Sequence, residues 1–435
     1  MKVIGMKKYK IVILVCAFTL LGIFIGRVSK TSNVYEKNEN NQMKKQVNTI
    51  SMMLETEAGS GKYEMTTRDS WPTEGYVFNS TLSKCENGGE LSWDDTNKKV
   101  LMSGNISDKC YVYFDIETKV FLADYVKSLY TGTQGDNNIY YHDSSLENGA
   151  GDNSYRYAGS SETTNNYVCF GSSTETCPED SLYRIIGVFD GQVKLIKATA
   201  ATSSLLGTDG GYSSDTTFYW SNLTTCPSET TAYNQNNNII RLADKKIIGA
   251  PDPGGIGVGC NIWKYSELNT TNLNTNYLNR IGLTWSNLIE DTTWKVSGHT
   301  SSNVTPNVTP SVMYTEEITN ASKTYGPSDG TSKVGLMYAS DYGFAADPSA
   351  WTLTMSSYNN TTVRSTNWIY MGLDEWTIIP ESSESYHVFF LFVSGYIAYN
   401  NANIGYAVRP TMYLKASAVY NGGSGTASDP IRIEI

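Results

Sequence analysis

GYAVRPTMYL, residues Gly405 to Leu414, is an apolar strand-like run with an arginine and a proline at its centre. Alternation along it puts Tyr406, Val408, Met412 and Leu414 on one face and Ala407, Arg409, Thr411 and Tyr413 on the other. Pro410 has no amide to donate, so it marks an edge or a bulge and can re-aim its neighbour. Arg409 is then either a solvated outer-face residue or a buried one whose planar fork ties carbonyls or a carboxylate together. Periodicity alone leaves both readings open.

Working outward, "YHVFFLFVSG" supplies a buried-looking strand from Val388 to Val393. Just before it, "NWIYMGLDEWTIIP" sets Trp368, Tyr370 and Trp376 beside Asp374 and Glu375. Aromatics with carboxylates suit carbohydrate stacking with hydroxyl recognition, or a Ca²⁺ ion with oxygen ligands. Core burial is the ordinary alternative for any one of these tryptophans. Earlier, "LYRIIGVF" and "QVKLIKA" flank Asp190-Gly191, a preferred two-residue hairpin turn. "YSELNTTNLNTNYLNRIG" predicts a helix, with Leu273, Tyr277 and Ile281 four apart and Ser266 as N-cap. "NVTPNVTP" at 303–310 reads as a loop.

The first third of the chain has a different texture. Short strands recur over residues 47–115, with "LSWDDTNKKVLM" as a hairpin around Asp94 to Asn97, and predict a small β-sandwich. Residues 116–153 read as a helix and linker. Phe121, Leu122, Tyr125, Val126 and Leu129 give the helix one apolar face, and Gly, Asn, Asp and Ser then dominate up to a boundary near 150. Residues 154–435 form the last domain, so the expected class is α+β, mostly β.

At the N-terminus, Lys2, Lys7, Lys8 and Lys10 precede an uncharged apolar run from Ile11 to Gly26, closed by Arg27 and Lys30. Residues 1–28 therefore read as a signal sequence, and the lack of an Ala-x-Ala-like site favours an uncleaved, single-pass anchor. Lysines on one side keep that end in the cytoplasm and place the bulk of the chain outside. Cys16 lacks the small preceding residue of a lipid-anchor site. Residues 29–46 are a polar spacer.

The other six cysteines fall as sequence neighbours, Cys85 and Cys110, Cys169 and Cys177, Cys226 and Cys260. Six allow about fifteen connectivities; nearest-neighbour pairing is the reading adopted, and oxidised pairs fit an extracytoplasmic address. No CxxC occurs and the histidines are only His142, His299 and His387, which disfavours a zinc site. A net charge of −10 argues against nucleic acid as a partner.

Taken in order, "WKYSELNTTNLN", "GLMYASDYGFA", "NWIYMGLDEWTIIP" and "YAVRPTMYL" resemble the hallmarks of an uncharacterised bacterial surface-domain family. That family is distantly similar to the formylglycine-generating-enzyme-like and C-type-lectin-like folds, and the resemblance covers about residues 155–435. It implies a lectin-like α+β domain in which the arginine of the "VRP" strand, Arg409, is structural and lies near the join of the chain ends. The enzymatic relatives depend on reactive cysteines and a metal in their C-terminal half. Here Cys169, Cys177, Cys226 and Cys260 all precede it, so the oxidase reading falls away. No histidine sits in a nucleophile context such as G-x-S-x-G. The adjacent acids Asp374 and Glu375, or Glu316 and Glu317, could in principle form a glycosidase pair, but neighbouring acids on a loop are ordinarily solvated. The expectation is a non-catalytic binding or adhesion protein without an obligate cofactor, its ligand a glycan, a cell-wall component or a host protein. Abundant tyrosine with Asn, Ser, Thr and Gly suits such a surface. The rival is a structural or pilus-like surface component without a ligand.

Overall fold

Both positions of the Asp190-Gly191 turn adopt positive φ, 48° and 80°, and so join Leu182–Phe189 to Gln192–Lys197 as the expected hairpin. In this computed structural model the described residues are 49–72, 74–104, 108–223, 260–296, 308–319, 330–381 and 386–435. For Asn33–Lys37, Met43–Val47, Asn234–Gln235 and Asn238–Ile239 the backbone alone is described. The chain divides into two units, Met1–Lys119 and Val120–Ile435. Both are mostly β.

In the first unit, Thr49–Glu55 pairs antiparallel with Tyr63–Met65 and parallel with Lys109–Ile116. Lys109–Ile116 also takes Tyr76–Phe78 and Lys84–Cys85 as antiparallel neighbours. The expected hairpin forms from Glu90–Asp94 and Lys99–Ser103, its turn closed by the Asn97 amide donating to the Asp94 carboxylate at 3.0 Å. Trp93 of that hairpin stands edge-on to Phe114 at 5.5 Å, in a small core with Met52 and Val112. A disulfide joins the cross-strand neighbours Cys85 and Cys110. Part of the stretch expected as a spacer is itself paired, Asn33–Lys37 against Met43–Val47. The expected anchor and Cys16 lie outside the described residues. Among the described residues no helix is long and apolar enough to cross a membrane.

The second unit is built on one antiparallel sheet. Its order is Ile139–His142, Ser154–Tyr157, Leu182–Phe189, Gln192–Lys197, Thr411–Tyr413, Val334–Gly335, with Tyr167–Cys169 also on Leu182–Phe189. A bulge at Ile185/Gly187 accommodates the neighbouring strand, since a Cβ on Gly187 would meet the Tyr155 carbonyl at 2.3 Å. Two further three-stranded sheets join Tyr212–Ser214, Thr217–Tyr219 and Gly405–Tyr406, and Glu375–Pro380, His387–Leu391 and Ile397–Asn401.

The boundary expected near 150 falls instead between Lys119 and Val120. Helix Leu122–Ser128 buries Leu122, Ala123 and Val126 in the large core, and Ile139–His142 is an edge strand of the main sheet. Residues 120–153 are therefore part of the second unit and not a linker. The ends of that unit meet: Phe121 bridges Val419, Tyr420 bridges Ile433, and Val168 bridges Ile431.

The predicted helix at 265–282 forms as a widened π-helical segment, Leu268–Tyr277, running into Leu278–Ser286. Ser266 accepts the Asn269 amide at 3.3 Å. Leu273 and Tyr277 are buried as their spacing predicts, but so is Asn272, which donates to the carbonyls of Leu206 and Asp209. Asn274 pairs with both the amide and the carbonyl of Val334, acting as one more strand residue. Cys169 is bonded to Cys177. Cys260 is also disulfide-bonded, while its expected partner Cys226 lies outside the described residues.

The opening stretch is a junction and not a continuous strand. Gly405–Tyr406 belongs to one sheet, Thr411–Tyr413 to another, and residues 407–410 cross between them. Pro410, which cannot donate, offers its carbonyl to the Lys197 amide instead. Because both faces of the crossing are covered, Ala407, Val408 and Arg409 are all buried.

Candidate functional site

Charged side chains inside a core are expensive unless paired, so their positions locate what the fold is organised to hold. Arg409 is one, 2% exposed. Its Nε donates to Glu375 Oε1 at 2.7 Å and its Nη2 to Glu375 Oε2 at 2.8 Å and to the Ile369 carbonyl at 2.9 Å. Burial pushes Glu375 above the ordinary carboxylate range, although the Arg409 charge pulls it back.

That pairing decides the fate of the residues expected to bind a ligand. Glu375 gives both oxygens to Arg409 in a site withdrawn from solvent. Trp368 and Trp376 are buried and donate their indole N–H to the carbonyls of Tyr157 and Phe218. Tyr370 donates its hydroxyl to the Val393 carbonyl, and Asp374 accepts the Val393 amide. Trp368, Glu375 and Trp376 are turned into the fold, while the half-buried Tyr370 and Asp374 bracket one loop residue. None of the five lines the pocket described next.

A pocket of about 140 Å³ lies elsewhere, at the tip of the Asp190-Gly191 hairpin. Five segments supply it. Ser154–Tyr157 presents Arg156, the hairpin presents Phe189, Asp190 and Lys194, helix Pro310–Tyr314 presents Tyr314, helix Ala339–Phe344 presents Asp341, and Thr411–Tyr413 presents Tyr413. Lys194 and Tyr413 are cross-strand partners.

Its floor holds two ion pairs, one buried on both sides and one half-buried at its acid. Arg156 Nη2 donates to Asp152 at 2.6 Å and Nε to the Ser154 hydroxyl at 2.8 Å. Phe189, Tyr314 and Phe344 surround that guanidinium, their ring centroids 4.7 to 4.9 Å away. Although burial opposes it, the Arg156 charge and the Ser154 hydroxyl hold Asp152 down at about 2. Lys194, 1% exposed, donates to Asp341 Oδ2 at 2.6 Å. Tyr338, Tyr413, Phe189 and Trp294 surround its ammonium at 4.5, 5.2, 5.6 and 5.8 Å. Burial lowers the Lys194 pKa, with Asp341 opposing.

Beside this second pair lies Glu317, fully buried, accepting the amides of Ala339 and Ser340 at 3.0 and 3.1 Å. Burial pushes it up to about 8, and the neighbouring Asp341 charge adds to the shift. The expectation that adjacent acids are solvated is thus corrected: Glu317 and Glu375 are both buried, each claimed by partners distant in sequence. His142, also buried, sits against Phe344 and Trp351 and is held neutral, well below its ordinary pKa, by desolvation and then by the Arg156 charge.

Cys85, Asp108 and Cys110 cluster closely enough to suggest a metal site. The two sulfurs are bonded to each other, and Asp108 accepts the amides of Asn87, Gly89 and Lys109, so its oxygens are committed.

Arg156, Lys194 and Asp341 escaped the sequence reading. One signal was available. A lysine at the centre of the apolar strand QVKLIK has nowhere solvated to go once both faces of the sheet are covered. No family model, curated protein or solved structure matches this chain.

Proposed function

We propose that the chain is a membrane-anchored, extracytoplasmic binding protein, and that its second unit is a lectin-like module holding a glycan in the Arg156–Lys194 pocket without performing chemistry on it. The observation that carries this reading is the pocket's lining: four aromatic side chains, Phe189, Tyr314, Tyr338 and Tyr413, around charged groups already fixed by partners. Aromatic faces take the C–H surface of a sugar ring, while fixed donors and acceptors select its hydroxyls. An arginine fork has more donors than its two internal partners consume. Disulfides in both units fit the extracytoplasmic address, as does the lysine-flanked apolar run at residues 11–26.

A glycan array probed with the full chain tests the reading. Retention of a defined glycan class is expected, with affinity falling by about tenfold or more in Tyr314→Ala, the loss of one good contact. Asp190→Asn, which keeps a residue tolerant of positive φ in the turn, should change the glycan preference without changing thermal unfolding. Failure to retain any glycan, or binding indifferent to both substitutions, would overturn it and favour a structural surface component.

A further inference from the structure

Lys194 and Asp341 are 147 residues apart in sequence, yet the ammonium nitrogen and a carboxylate oxygen meet at 2.6 Å with both side chains 3% exposed or less. Four aromatic rings surround the ammonium, and Glu317, wholly withdrawn from solvent, binds the two amides immediately before Asp341. A lysine, a carboxyl group and a second buried acid in an apolar shell are the components of a condensation. We propose that Lys194 Nζ and Asp341 Cγ join in an intramolecular isopeptide bond, with Glu317 relaying the proton. This does not rest on the ligand reading above, because the bond would form whether or not the pocket is occupied.

The chemistry balances without an external reagent. In a low-dielectric site the ammonium–carboxylate pair can pass one proton across and become a neutral amine and a carboxylic acid. The amine lone pair attacks Cγ, and the carboxyl group of Glu317, held protonated by its surroundings, polarises the Asp341 carbonyl. Glu317 then accepts a proton from the attacking nitrogen and delivers one to the departing hydroxyl. One C–N bond forms, one C–O bond breaks, one water leaves, and nothing is oxidised or reduced. The second ion pair of the pocket is an internal contrast. Arg156 and Asp152 are equally close, at 2.6 Å, but a guanidinium does not give up its proton in a protein.

The fold supports the product. Lys194 is fixed by strand pairing on both sides, and Asp341 is fixed by capping its own helix through the Tyr338 amide. An amide linking them would tie the centre of the main sheet to the helix that follows its edge strand Val334–Gly335.

Intact mass of the reduced full-length chain decides the matter, together with tandem mass spectrometry of its tryptic digest. The proposal expects a mass lower by one water than the sequence requires. It also expects a branched peptide joining the Lys194 and Asp341 segments, with no cleavage after Lys194. Lys194→Met and Asp341→Ala should each restore the full mass. Glu317→Gln, a near-isosteric change, should also restore it or slow the loss of water by orders of magnitude. A wild-type chain of full mass, cleaved normally after Lys194, overturns the proposal whatever the variants do. Unimpaired cross-linking in Glu317→Gln would overturn the role assigned to Glu317.

Discussion

Replacing Arg409 by alanine removes three short hydrogen bonds at once, two to Glu375 and one to the Ile369 carbonyl. What remains is the larger part of the cost: Glu375, 2% exposed, keeps its charge without a counter-ion. Breaking a buried pair in this way costs about 3–5 kcal/mol. The Ile369 carbonyl, left without this donor, falls within that total. Glu375 can escape by taking up a proton. Its folded pKa already lies above the ordinary value, and losing the guanidinium that pulls it down will raise it further. A carboxylate whose folded pKa is raised is best tolerated below its unfolded pKa, and stability is lost as pH rises through the folded value. The penalty of Arg409→Ala should therefore be smallest under mildly acidic conditions and grow toward neutrality. Arg409→Lys should recover little, since an ammonium cannot serve both oxygens and a carbonyl in one plane. The double variant Arg409→Met/Glu375→Leu should unfold closer to wild type than Arg409→Ala does. Urea unfolding of the full chain, followed by tryptophan emission and repeated across pH, measures all of this, because Trp376 adjoins Glu375. An unchanged midpoint for Arg409→Ala, or full recovery by lysine, would show that the Arg409–Glu375 pair does not hold the second unit together.

Two further outcomes follow from the same physical terms. Glu317, raised from 4.5 to about 8, binds its proton more tightly in the folded chain. Its contribution should thus be complete below about pH 4.5 and be lost as pH rises toward 8, a slope of a few kcal/mol that Glu317→Gln should flatten. Non-reduced peptide mapping should recover Cys85–Cys110 and Cys169–Cys177, with Cys226 linked to Cys260. Replacing Cys85 and Cys110 together by serine should cost the first unit about 2–4 kcal/mol in chemical unfolding. A peptide joining cysteines of different pairs would contradict the connectivity.

The features legible in the sequence are those whose cause is local. Asp190-Gly191 is readable because a two-residue turn needs positive φ at both positions. Leu273 and Tyr277 are readable because one helical face repeats every turn. Helix Leu122–Ser128 was equally visible, but an apolar face says only that something covers it, and the covering core is built from residues far downstream. Direction defeated the reading of Trp368 and Trp376. Aromatics beside acids look alike whether they face solvent or the interior, and the partners that hold this cluster inward, Tyr157, Phe218 and Arg409, all lie far from it in sequence.

The pocket is invisible in the sequence for the same reason, since no local cause assembles it. Its groups come from residues 152–156, 189–194, 314–318, 338–341 and 413, and apart from Phe189 the partners that make Lys194 tolerable lie about a hundred residues or more away from it in sequence. Lys194, Arg156 and Arg409 nonetheless share a local mark. Each is a buried cation in a short, largely buried segment, so each must have a carboxylate or a set of carbonyls waiting for it. Two of the three found an acid on a distant segment, while Arg156 found Asp152 four residues away. Each distant pair therefore ties together segments remote in sequence, Lys194 of the main sheet to a helix 147 residues on and Arg409 to a strand of a separate sheet. Lys194 and Asp341 meet in a site almost wholly withdrawn from solvent, the condition under which an amine and an acid can condense instead of remaining ions.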